Sequence, residues 1–214
     1  MSRQGLTDII DFSALLSVEE PMAPMPDGGI IFVRMPRFAE LANLRQLAVD
    51  QIGPAIAPLP VMQHVYNHNP ETMWMLFRSP TKERTAGKLV GYYAFLHLNQ
   101  AGLEALEART LNPQAPDLKL IAPAGHRPAA VYIWGIIAPR LNLRAIPLVG
   151  KGLGVKRYGG LPFYAKAATM AGLNGLKGYG FKGATVQDDT LGDVFQFYMP
   201  GEGEPPPAAS AAFA

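Results

Sequence analysis

At 214 residues, 49% hydrophobic and 17% charged, the chain is long enough to bury a sizeable core, and one decorated domain is expected rather than two. Its 19 basic and 17 acidic residues are interspersed and sum to a formal net charge of +2, which gives no electrostatic footprint for DNA or RNA. Cysteine is absent, so disulfides, thiolate metal sites and a cysteine nucleophile are excluded.

The opening Met1-Ser2-Arg3-Gln4-Gly5-Leu6-Thr7-Asp8 turns acidic where a signal peptide would have its apolar segment. No apolar run approaches the roughly 20 residues that a bilayer requires. A cytoplasmic protein is the default expectation, in a reducing compartment that the lack of cysteine allows. Leu6, Ile9, Ile10, Ala14 and Leu15 recur with approximate helical spacing, which predicts a helix within residues 6–20 that packs on the domain or on a partner subunit. Residues 21–29, rich in proline and glycine, read as a linker.

Residues 29–34 then read as a strand, and residues 38–50 as an amphipathic helix stopped by Gly53-Pro54. His64 and His68 have the spacing that would place two imidazoles on one helix face. A zinc site would need a third ligand, and the glutamate of the known helical motif is missing. Asn67, Asn69 and Pro70 argue for a turn here, with loop histidines.

Residues 71–79 and 89–98 read as two strands of an antiparallel hairpin, joined by a charged turn. A short helix over 99–109 and a proline-rich loop to Pro128 follow. The longest apolar run comes next, Ala130-Val131-Tyr132-Ile133-Trp134-Gly135-Ile136-Ile137-Ala138-Pro139. It is short, rich in β-branched and aromatic residues and closed by proline, which predicts a central strand buried on both faces. Helices must then cover both sides, so the fold class is α+β or α/β, with a central mixed, mostly antiparallel sheet flanked by helices.

Beyond Pro139, residues 141–158 have helical spacing in part, against Pro147 and three glycines. Residues 161–167 read as a strand, Thr169 as the cap of a helix running to Lys177, Gly180-Phe181 as the turn out of it, and residues 193–199 as a last strand. Residues 201–214 are low-complexity and are expected to be disordered. The expected organisation is therefore a helix and linker over 1–28, one domain over 29–200 with an insertion at 99–128, and a flexible tail.

That order of elements, with its local motifs, resembles the GNAT acetyltransferase superfamily over about residues 29–200. Arg34 ends the first strand before a leucine-rich helix. Gly87-Lys88-Leu89-Val90-Gly91-Tyr92 is similar to the family's third strand. Ala138-Pro139 closes a strand like its fourth, and Thr169-Met170-Ala171-Gly172 with Gly180-Phe181 matches its last helix and "G-F" signature. The resemblance implies acyl transfer from acetyl-CoA, or another acyl-CoA as co-substrate, to a primary amine on a small molecule or peptide. It implies no nucleic acid and no membrane, and it leaves a homodimer open.

A pantetheine arm is a chain of amides, which pairs well with the backbone of a strand splayed from its neighbour. A pyrophosphate is suited to the free backbone donors of a helix start. The resemblance places the arm on the backbone of Ile136, Ile137 and Ala138. It places the pyrophosphate on Arg140, Asn142, Leu143, Arg144 and Ala145, with Thr169 nearby in the last helix.

Two departures stand out. The family's glycine-rich loop "R/Q-x-x-G-x-G/A" is here Asn142-Leu143-Arg144-Ala145-Ile146-Pro147, and proline supplies no donor. A closer literal match, Val149-Gly150-Lys151-Gly152-Leu153-Gly154, lies later and leaves too little chain for the following helix. The position of the family's tyrosine acid is Leu176. Tyr179 or Tyr164 could substitute, and Glu71 or His97 could accept the amine's proton through water. An enzyme and a catalytically inactive module that binds acyl-CoA or a protein partner both remain open. The two readings share one expectation: the strands at 130–138 and 161–167 part midway.

Overall fold

The computed structural model describes residues 22–24, 29–54, 56–81, 87–137, 158–185 and 188–199. The expected helix within 6–20, the partly helical stretch over 141–157 and the tail from 201 lie outside these residues. Among them, eight strands form one sheet: β1 (Met22–Pro24), β2 (Ile30–Arg34), β3 (Met73–Ser79), β4 (Lys88–Leu98), β5 (Ala130–Ile137), β6 (Pro162–Lys166), β7 (Lys182–Gly183) and β8 (Val194–Tyr198). The spatial order is β1-β2-β3-β4-β5-β6-β8-β7. Every neighbouring pair is antiparallel except β5 and β6. This is the mixed, mostly antiparallel sheet expected.

Four α-helices accompany it: α1 (Leu41–Ile52), α2 (Leu59–His68), α3 (Gln100–Glu107) and α4 (Met170–Gly178). Helices α1 and α2 cover one face through Leu41, Leu44, Ala48 and Met62, packed on Phe32, Met73, Met75, Phe77, Tyr92 and Ile137. Leu106 of α3 extends that layer over Leu96, Leu98, Tyr132, Tyr164 and Val194. The other face carries Trp74, Tyr93, Phe95, Val131 and Phe163, and α4 lies at its β6–β8 side through Leu173, packed with Ala167 and Phe195. Alternation along each strand assigns these faces.

Three readings of the sequence are corrected. The linker contains β1, paired with β2 in the register Met22↔Phe32, so the sheet starts before residue 29. Pro24 is compatible with a strand there because β1 is an edge. His64 and His68 lie in helix α2 rather than a turn. Pro60 falls in the first turn, where a missing donor costs nothing, and burial of Met62 and Val65 outweighs the asparagines. The helix ends only at Asn69. Finally, β5 is not buried on both faces throughout: residues 130–132 are buried, and residues 133–136 are half-buried.

Candidate functional site

The site begins with what happens along β5. On one side it pairs with β4 from Leu98↔Ala130 to Tyr92↔Ile137. On the other it pairs with β6 only at Val131↔Phe163, Tyr132↔Tyr164 and Ile133↔Ala165. Beyond Ile133, among the described residues, β5 continues to Ile137 with no ladder partner on the β6 side. The ladder ends one residue before β6 itself does, and β5 runs on four residues past it; the point where β5 loses its ladder partner among the described residues is the fork. Ile136 and Ile137 lie on this open stretch. Ala138, Arg140, Asn142, Leu143, Arg144 and Ala145 lie outside the described residues.

A β-bulge marks the fork. The β4–β5 register shifts between Ala94↔Gly135 and Phe95↔Ile133, which leaves Trp134 as the extra residue. Such a residue bends its strand and strengthens the local twist. Trp134 is held there by its indole, which donates from Nε1 to the Pro113 carbonyl at 2.6 Å. The bend also explains Gly91 in the Gly87–Tyr92 stretch: a Cβ at residue 91 would collide with the Ile137 carbonyl, so only glycine allows β4 to stay close to the end of β5.

The candidate proton donors separate by face. Tyr164 points to the α3 side, where its hydroxyl is 3.5 Å from Glu107 Oε1 and burial, with Glu107 adding, pushes its pKa up to about 12. Tyr179 caps α4, and burial raises its pKa above the ordinary tyrosine value. It lies within electrostatic reach of Tyr93, on the opposite face from Tyr164. Tyr164 and Tyr179 thus cannot serve one reaction centre together. Leu176, at the position expected for the acid, packs against Ala167, Leu173 and Phe195. Thr169 caps α4 as expected, its Oγ1 accepting from Gly172 N–H at 3.1 Å.

Glu71 and His97 are buried together. Glu71 N–H donates to Asn69 Oδ1, which fixes the orientation of that amide, and Asn69 Nδ2 then donates to His97 Nδ1 at 3.0 Å and to the Ala122 carbonyl. With Nδ1 accepting, His97 carries its proton on Nε2 and donates it to Tyr158 Oη, 2.7 Å away. The imidazole is wholly buried with both nitrogens engaged, as a structural histidine would be. It lies on the Tyr93 face of β4, four residues and roughly 13 Å from Tyr93 at a strand rise of about 3.3 Å per residue. His64 is exposed, and His68 Nε2 bonds the Ile121 carbonyl at 3.0 Å. Among the described residues no group of three His, Asp or Glu could hold a metal.

One residue had no signal in the sequence beyond its place in a strand. Tyr93 is wholly buried, and its hydroxyl has no hydrogen-bond partner. A buried polar group left in that state costs about 1–3 kcal/mol. Burial, with Tyr179 adding, raises its pKa well above the ordinary tyrosine range, so it is a neutral O–H donor. The readable trace was the stripe Tyr93, Phe95, His97, which alternation puts on one face.

No family model matches the sequence, and no curated protein matches it. Among solved structures, the chain is similar to one described as histone acetyltransferase HPA2 and related acetyltransferase from Corynebacterium glutamicum. The two are 13% identical with a TM-score of 0.43, over 79% of this chain and 96% of that one.

Proposed function

We propose that this chain is a divergent member of the GNAT superfamily that transfers an acyl group, in the first instance acetyl, from acyl-CoA to a primary amine. The observation that carries this reading is the end of the β5–β6 ladder at Ile133↔Ala165, with β5 running on to Ile137 and half-buried over residues 133–136. An open strand edge beside a sheet suits an extended amide chain, which adds to it as a further strand would. In this reading the arm lies along Ile136, Ile137 and Ala138, and residues 140–145 hold the pyrophosphate, with Arg140 or Arg144 supplying charge.

The amine nitrogen attacks the thioester carbonyl carbon, so a C–N bond forms and the carbonyl oxygen gains charge. The C–S bond then breaks, and the leaving thiolate takes the proton of Tyr179. The nitrogen releases its own proton through water to Glu71, beside the amide that holds His97, and the products are an amide and free CoA. Placing the reactants at the fork contributes much of the rate, because orientation alone is worth several kcal/mol. Tyr164 has no part in this scheme, since it faces α3.

Leu176, packed in a small apolar cluster, favours a second reading in which the same fold binds acyl-CoA without turning it over. Thermal unfolding with acetyl-CoA, followed by free-thiol release over a panel of amines, separates the two. Stabilisation by acetyl-CoA with thiol release supports the enzyme, and stabilisation without release for any amine leaves the binding module. Absence of stabilisation overturns both.

A further inference from the structure

We propose that the Tyr93 hydroxyl donates a hydrogen bond to the thioester carbonyl oxygen of acyl-CoA bound at the β5–β6 fork. The inference rests on the acyl-CoA reading above and adds a residue that the resemblance does not point to. Tyr93 stands on β4 between Trp74 of β3 and Ile136 of β5, its two cross-strand neighbours. Ile136 is on the open stretch of β5. Tyr179, within electrostatic reach, caps the C-terminus of α4, which follows β6. Tyr93 and Tyr179 thus come from elements on the two sides of β5, with β4 on one and the β6–α4 unit on the other.

The surroundings of Tyr93 are apolar, with Trp74, Leu76, Phe95 and Ile136 in the same cluster. On this face His97 has Asn69 and Tyr158, and Trp74 Nε1 donates to the Glu71 carbonyl at 2.9 Å. The Tyr93 hydroxyl has no hydrogen-bond partner and stands as a buried donor in an apolar wall. Its complement is a ligand with one acceptor in an apolar frame. A thioester fits: the sulfur and acyl chain are weakly polar, and the carbonyl oxygen is the single strong acceptor. That oxygen becomes more negative as the amine attacks, so the same hydrogen bond strengthens in the transition state.

The test is Tyr93→Phe, with Tyr158→Phe as its counterpart. Tyr93→Phe removes a hydroxyl that bonds nothing in the free protein, so the free protein unfolds at the wild-type temperature or higher. Coenzyme A without an acyl group should stabilise it as it stabilises wild type, the extra shift given by acetyl-CoA should vanish, and kcat should fall about 100-fold. Tyr158→Phe, which removes the partner of His97, should lower the unfolding temperature and leave the preference for acetyl-CoA over CoA intact. A Tyr93→Phe protein that is less stable when free, or that keeps both kcat and the extra acetyl-CoA shift, overturns the proposal while the acyl-CoA reading stands. Wild type that acetyl-CoA does not stabilise overturns both.

Discussion

The two halves of β5 are written in the same alphabet and sit in different surroundings. Val131-Tyr132-Ile133 is paired on both sides and mostly buried, while among the described residues Gly135-Ile136-Ile137 is paired with β4 alone and largely half-buried. Apolar composition therefore does not decide how a strand is used. A greasy strand with two partners is core; with one partner it leaves main-chain groups for something else to engage, and side chains that are half-covered until it arrives. Open strand edges are normally blunted by charge or proline, and neither appears within residues 134–137.

The contrast can be broken first by paired truncations. Phe163→Ala, in the closed ladder opposite Val131, should lower the unfolding free energy in urea by about 3–5 kcal/mol. Ile136→Ala, on the open half, should cost less, about 1–2 kcal/mol, because its side chain is only partly buried. Equal costs would mean that the open half is ordinary core.

Next comes Tyr179→Phe, which should lower kcat about 100-fold and leave acetyl-CoA binding unchanged. Because burial raises the Tyr179 pKa, its proton is available below that raised value and lost only as pH rises through it. The wild-type rate should therefore not decline up to pH 9 from loss of this donor. An unchanged rate in the variant would remove Tyr179 from the chemistry.

Gly91→Ala probes the hinge of the open half from the β4 side. The added methyl meets the Ile137 carbonyl, so the variant should lose about 1–3 kcal/mol, with amide exchange rising first at the Tyr92↔Ile137 end of the ladder.

The smallest effect is a control away from β5. Arg34 grips Glu40 through two hydrogen bonds, of 2.7 and 2.8 Å, and holds its carboxyl down at about 2 against an ordinary 4.5. A carboxylate depressed in the folded state contributes stability above pH 4.5 and loses it as pH falls towards 2. Glu40→Gln should flatten that part of the acid-unfolding curve by less than about 1 kcal/mol, since the pair is partly exposed. It should leave acetyl-CoA binding as in wild type.

Much of this fold was legible in the sequence. Among the described residues, three of the four α-helices and all six longer strands follow from period and punctuation, including the Thr169 cap and the Gly53 stop, where φ reaches +106°. Local rules failed where tertiary contacts decided the outcome. Residues 59–68 are helical because Met62 and Val65 are buried, despite asparagines that favour a turn. Residues 22–24 form a strand because β2 offers them an edge. The candidate site was legible only as motifs. The fork depends on where a ladder stops, the bulge on a register shift across two strands, and the lone Tyr93 hydroxyl on what surrounds it. None of these is a property of a short stretch of sequence.

The bulge at Trp134 carries one more consequence. It resets the alternation of β5, so that Ile133 and Ile136, three positions apart, share a face, while Ile137 joins Trp134 on the other. The strand thus holds two phases in eight residues. Exchanging one side chain for another cannot merge them, but removing the extra residue at 134 would restore a single phase, with Gly135, Ile136 and Ile137 keeping their partners on β4 while the bend is lost. Chain length at that point, more than the identity of any amino acid, is what aims the unzipped end of the strand.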